Sequence, residues 1–138
     1  MEKFVIEPTH VTPGIILSPD ERIFSIEGMS APEDVRALYY PVIEWMEKFN
    51  QELQQGNYQI YNEINPLTLR IDLNYFNSAS AKFLFDILLE LKKIKESGIP
   101  VITEWHYEED DMDMREAGED ISELVEMELK FITKPSKA

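Results

Sequence analysis

A chain of 138 residues is long enough to bury one sizeable core and too short for two ordinary domains. Its 27 acidic against 13 basic side chains leave a net charge of −14, which argues against nucleic acid or an anionic membrane as partner and favours a basic groove on another protein. Without any cysteine, disulfides, thiol catalysis and cysteine-ligated metals are excluded.

No stretch is apolar for long enough to span a bilayer, and Glu2, Lys3 and Glu7 interrupt the first apolar residues, so a signal peptide is not indicated and a cytoplasmic protein is expected. Residues 1–14 carry Pro8, Thr9, Thr12, Pro13 and Gly14 and read as an extended, turn-rich arm. Two short strands follow, Ile15 to Ser18 and Arg22 to Glu27, joined through Pro19-Asp20-Glu21 as a hairpin. Gly28, Ser30 and Pro32-Glu33-Asp34 read as a loop and helix start, with Ser30 or Ala31 ahead of the proline.

From about Pro32 to Leu53 the stripe Val35, Leu38, Tyr39, Val42, Met46, Phe49 and Leu53 predicts a helix, kinked or divided at Pro41. Gln54 to Pro66 has no sustained period and reads as a loop. Leu67, Leu69, Ile71, Leu73 and Tyr75 then alternate with Thr68, Arg70, Asp72 and Asn74, the pattern of a strand with one buried face.

After Tyr75 the period changes. Ser80, Phe83, Leu84, Ile87, Leu88, Leu91 and Ile94 recur at helical spacing, with Glu90 and Lys92 assigned to solvent. Gly98 and Pro100 close that helix and open a strand to Tyr107, in which Val101, Thr103, Trp105 and Tyr107 share a face. A weaker helical pattern covers Arg115 to Glu126, a last strand lies near Leu129 to Thr133, and residues 135–138 read as a frayed tail.

This order implies an α/β domain with a mostly parallel sheet and a hairpin strand at one edge. The polar second face of the central strand places the helices mainly on one side, with part of the other side open.

The junction Asn77-Ser78-Ala79-Ser80 joins that central strand directly to a helix. It sets a hydroxyl among the free N–H groups of a helix N-terminus, where an anion is stabilised. Two readings of this junction stand side by side. Asn77 or Ser78 serves simply as an N-cap, or Ser78 accepts a phosphoryl group worth about two negative charges.

Other chemistries find little support. An EF-hand counted from Asp111 puts Glu116 where glycine is required, and His10 and His106 are too few and too distant for a zinc site. There is neither a glycine-rich phosphate loop nor a serine nucleophile elbow. The acidic run from Glu108 to Asp120 reads as solvated or partner-facing surface, with a small carboxylate enzyme as the remote alternative. No catalytic residue, cofactor or metal is assigned.

Five motifs in order carry a resemblance over nearly the whole length. They are Thr9-x-x-Thr12-Pro13, Gly28-x-Ser30-x-Pro32-Glu33, Tyr40-Pro41-Val42-Ile43-Glu44-Trp45, Tyr75-Phe76-Asn77-Ser78-Ala79-Ser80-Ala81-Lys82, and the segment from Trp105 to Asp120. In these the chain resembles the SiaC-like bacterial regulatory phosphoproteins, whose fold is similar to that of STAS-domain anti-sigma-factor antagonists.

The resemblance implies a single STAS-like domain over residues 1–138 that works by partner switching. A Ser/Thr protein kinase would phosphorylate Ser78, with Ser80 the alternative acceptor, and a PP2C-type phosphatase would remove the phosphate. The unphosphorylated form would bind and activate a diguanylate cyclase, placing the chain in cyclic-di-GMP regulation. An anti-sigma factor or another output protein is the alternative partner. The family pattern has Thr at the acceptor and Ser where this chain has Ala79. Tyr75, Asn77, Ser80 and Lys82 are the candidate docking residues, with Gly28, Ser30 and Glu33 beside them.

Overall fold

Leu67, Leu69, Ile71 and Leu73 are all essentially inaccessible to solvent and lie on one face of the central strand of a six-stranded sheet. The computed structural model describes residues 1–136. In chain order the elements are β1 (Phe4–Ile6), β2 (Gly14–Ser18), β3 (Ile23–Ser30), α1 (Val35–Gln54), β4 (Leu67–Phe76), α2 (Ser78–Glu96), β5 (Val101–Glu108), α3 (Met112–Val125) and β6 (Lys130–Lys134).

The sheet order is β1-β2-β3-β4-β5-β6. The first two pairings are antiparallel and the remaining three parallel. Each parallel pair is linked through a helix, and successive crossovers advance in the same direction across the sheet. Right-handed crossovers made in one direction place every helix on the same face. The packing agrees, since α1 contacts α2 and α2 contacts α3 in a single layer. The domain is thus two layers, with an α/β core on one side of the sheet.

The opposite face is uncovered, as the alternation in β4 implied. Arg70 pairs there with Glu27 and, at 2.8 Å, with Asp72, which also receives Lys134. Glu104 meets His106 at 2.9 Å on the same side of the sheet.

Several boundaries differ from the sequence reading. The arm over residues 1–14 contains β1, which pairs antiparallel with β2 and is the edge strand beyond the hairpin. It is pinned further by the Trp45 Nε1–H, which donates to the Glu2 carbonyl at 3.1 Å. Gly28 and Ser30 lie inside β3 rather than in a loop, because β3 continues alongside β4 as far as the pair Ser30 and Phe76. α1 accordingly starts at Val35 rather than about Pro32, and its cap is Asp34, whose carboxylate accepts from the Ala37 N–H at 3.1 Å.

Pro41 sits inside one uninterrupted α1. Both Pro41 and Ala37 are exposed, so the Ala37 carbonyl that lacks its usual i+4 donor can bond to water.

Glu90, assigned to solvent, is only 7% exposed and pairs with Lys93 at 3.0 Å on the same helix. Of the expected tail, Pro135 and Ser136 follow β6 without regular structure, and residues 137 and 138 lie outside the described residues.

Candidate functional site

β4 runs in register with β3 up to the pair Gly28 and Leu73, and the next pair is Met29 with Tyr75. Asn74 is left without an opposing residue, a bulge at the C-terminal end of the central strand. One extra residue reverses the alternation. Tyr75, expected on the buried face with Leu73, instead stands 50% exposed, while Phe76 turns in and meets the Trp105 ring edge-on at 5.9 Å. Gly28, at the same irregularity, has φ +105°, a conformation natural to a residue without Cβ.

Asn77 then caps α2. Its side-chain oxygen accepts from the Ser80 N–H at 2.8 Å, and its carbonyl accepts from the Ala81 N–H at 3.0 Å. Asn77 itself is held in place by its own N–H, which donates to the Ser30 carbonyl at 3.0 Å. Of the two cap candidates, Asn77 fills the role. Ser78 is left as the exposed first residue of the helix, with no hydrogen bond to its hydroxyl among the described residues.

Ser80 is placed differently. Its side chain is fully buried, as are those of Ser30 and Tyr39. The Ser80 hydroxyl donates to the Ser30 carbonyl at 3.0 Å and lies 2.8 Å from the Ser30 hydroxyl, which in turn is 2.6 Å from the Tyr39 hydroxyl. Three hydroxyls from β3, α1 and α2 thus satisfy one another inside the core. Burial raises the pKa of the Tyr39 phenol, a shift opposed by the neighbouring Ser30 and Ser80 hydroxyls. Sequence reasoning placed Tyr39 in the apolar stripe of α1 and had no signal for its polar partners.

The expected neighbours are brought together unevenly. Ser30 is tied directly to Asn77 and Ser80 but is itself inaccessible, so neither Ser30 nor Ser80 presents a side chain to a partner. Lys82 is exposed and bridges to Asp86 at 2.7 Å, with its ammonium 4.8 Å from the centre of the Phe83 ring. Glu33 is exposed in the segment between β3 and α1. The Thr9–Thr12 turn lies against this end of the sheet, where the Ala31 N–H donates to the Val11 carbonyl at 2.7 Å.

The acidic segment has structural work of its own. Asp111 caps α3 by accepting from the Met114 N–H at 3.1 Å, and Glu119 pairs with Arg115 at 2.9 Å. Among the described residues no three His, Cys, Asp or Glu side chains are grouped to hold a metal ion. No described helix is long and apolar enough to cross a membrane.

Ser78 is thus an exposed hydroxyl at the head of α2, beside the buried anchor of Ser30, Tyr39 and Ser80. A model of the SiaC family regulatory phosphoproteins matches residues 6–134. An uncharacterized protein of Pseudomonas aeruginosa strain UCBPP-PA14 is 32% identical over 123 residues, covering 89% of this chain and 90% of its own length.

The crystal structure of apo-SiaC from Pseudomonas aeruginosa superimposes with a TM-score of 0.75 at 30% identity, over 97% of this chain and 99% of that one. A chain from the crystal structure of diguanylate cyclase SiaD in complex with its activator SiaC, from the same organism, gives 0.77 at 28% identity, over 96% and 99%. The chain belongs to the SiaC family of regulatory phosphoproteins.

Proposed function

We propose that this protein is a partner switch controlled at Ser78. In this reading a Ser/Thr kinase transfers the γ-phosphoryl group of ATP to the Ser78 Oγ, with the hydroxyl proton passing to the kinase base and ADP leaving. A PP2C-type phosphatase hydrolyses the ester with its own metal-bound water. The unphosphorylated form binds and activates a diguanylate cyclase, as SiaC is the activator of SiaD in the homologous complex.

The observation that carries this reading is the contrast between two hydroxyls on one helical turn. Ser78 is exposed, whereas Ser80 is fully buried and hydrogen-bonded. A kinase needs the acceptor oxygen free, and only the first meets that condition without unfolding the turn.

The physical consequence is a switch that leaves the fold alone. The first turn of α2 contains no acidic residue, so a dianion there meets N–H groups and the positive end of the helix rather than like charge on that turn. A partner surface shaped for a neutral hydroxyl would instead have to desolvate about two charges. Binding changes while stability does not.

The test is binding and stimulation of the host's diguanylate cyclase by wild-type protein, Ser78→Ala and Ser78→Asp. Retained stimulation by Ser78→Ala with loss in Ser78→Asp is expected. Equal stimulation by all three would overturn the reading.

A further inference from the structure

The Leu67 N–H donates to the Pro100 carbonyl at 2.9 Å, so Pro100, Ile102 and Glu104 turn their main-chain groups toward β4. Val101 and Thr103 alternate with them and turn theirs the other way, toward the line of β6. That strand begins only at Lys130, which stands opposite Glu104. The Val101 N–H and carbonyl and the Thr103 N–H are therefore left without a strand partner.

The same stretch bounds a depression of about 300 Å³ between the last turn of α2 and the approach to β6, lined in part by Lys95, Val101, Thr103, Glu128 and Lys130. Thr103 is only 3% exposed, and its hydroxyl is the one buried side-chain polar atom without a hydrogen-bond partner among the described residues. Buried donors are costly to leave unpaired. Thr103 lacks a partner on its hydroxyl and a strand partner on its N–H.

Charge sets this corner apart. In a chain of net charge −14, two lysines and a single carboxylate line one depression. Among the described residues no ion pair engages Lys95 or Lys130. Lys95 belongs to the last turn of α2 in the helical layer, whereas Lys130 shares the uncovered face of the sheet with Glu104.

The free main-chain groups specify what can bind. On a parallel strand edge one incoming residue bonds twice, its N–H to the carbonyl of one strand residue and its carbonyl to the N–H two residues on. The Val101 carbonyl and the Thr103 N–H are such a pair, and the incoming residue falls opposite Ile102. Lys130 already holds the place opposite Glu104, so an incoming strand has to end at this point. In the parallel direction that end is a carboxylate. The two lysines favour it over the amino terminus that an antiparallel strand would bring.

We propose that this notch binds the carboxy-terminal residues of an extended peptide, added to β5 as a short parallel strand in line with β6. The terminal residue donates its N–H to the Val101 carbonyl, and its carboxylate accepts from the Thr103 N–H, with the Thr103 hydroxyl as second donor. Lys95 and Lys130 flank the charge, and the Val101 N–H takes the carbonyl two residues earlier in the peptide. The terminal side chain falls beside the half-buried Ile102, so an apolar residue fits. Ser78 lies at the other end of α2, about 25 Å along the helix axis from Lys95, and the notch is independent of the switch there.

The experiment follows the amide resonances of the isotope-labelled full-length chain during titration with the tripeptide acetyl-Ala-Ala-Leu, with its carboxy-terminal amide, and with acetate. Saturable shifts centred on Val101 and Thr103 are expected for the free acid, with the amide and acetate each weaker by about tenfold or more. The double variant Lys95→Gln, Lys130→Gln is expected to weaken binding of the free acid by about tenfold, thermal unfolding confirming that it folds. Thr103→Val keeps the main-chain donor and removes the unpartnered hydroxyl, so it should bind more weakly while unfolding no lower than wild type.

Shifts that do not saturate would overturn the site. Equal binding of the acid and its amide, or of the acid and acetate, would overturn the peptide as its ligand. Undiminished binding by both the lysine variant and Thr103→Val would remove the groups on which the proposal rests.

Discussion

The Ser80 hydroxyl lies 2.8 Å from the Ser30 hydroxyl although the two residues are 50 positions apart in sequence, and both are fully buried. This contact ties the first turn of α2 onto the end of β3 and keeps the Ser80 hydroxyl out of solvent. Replacing Ser80 with alanine takes one partner from the Ser30 hydroxyl and one from the Ser30 carbonyl in the core. The expected cost is about 1–3 kcal/mol in chemical denaturation, with phosphorylation at Ser78 retained. Loss of the phosphate in a folded Ser80→Ala variant would make Ser80 the acceptor.

The two ends of the strand-to-helix junction separate by their energetics. Asn77→Ala removes the cap that accepts from the Ser80 N–H and is expected to cost about 1 kcal/mol, up to about 2. Ser78→Ala removes an exposed hydroxyl that caps nothing and should change stability by no more than about 0.5 kcal/mol. Urea denaturation of the pair measures the difference, and a reversed order would return Ser78 to the role of cap.

Much of the architecture was readable from periodicity, because alternation and helical spacing report burial on one face. The strand at Leu67 and the helix beginning at Ser78 are clear for that reason. Tyr75 was misplaced because one unpaired residue, Asn74, reverses the alternation, and a bulge leaves no trace in composition. Glu90 was assigned to water because charge alone is visible in the sequence, whereas its ion pair with Lys93 is what permits burial.

The strand at Phe4 to Ile6 has only three residues, too few for a period to show. The hydroxyl network of Ser30, Tyr39 and Ser80 joins three separate elements, so no local pattern announces it.

Gly118 is required by contact rather than by backbone conformation. A Cβ built there would meet Trp105 Nε1 at 2.7 Å and Phe131 Cε1 at 2.8 Å. The same Trp105 N–H donates to the Met114 carbonyl at 3.0 Å, so the ring cannot yield without losing that bond. Gly118→Ala is expected to destabilise by about 1–3 kcal/mol and to shift tryptophan fluorescence, checked by thermal unfolding and by the emission spectrum of the folded variant. An unperturbed variant would mean that α3 moves off the sheet freely.

Tyr61 sets an alkaline limit. Its hydroxyl donates to the Pro19 carbonyl at 2.5 Å, and burial pushes its pKa up to about 12 from the ordinary value of 10.0. The folded state therefore holds the proton more tightly than the unfolded state. The stabilisation is fully present below pH 10 and is lost as pH rises from 10 toward 12. Tyr61→Phe, which has no proton to lose at that position, should show a shallower fall in denaturation midpoint across that interval. An identical slope would place the alkaline sensitivity elsewhere.

We propose Ser78 as the carrier of the regulatory phosphate, and intact mass with phosphopeptide mapping of the protein isolated from its own cells under phosphatase inhibition is the measurement to make. A single added phosphate on Ser78, absent from Ser80, is expected. A Ser78 that stays unmodified under every growth condition, or a phosphate found on another residue in its place, would contradict it.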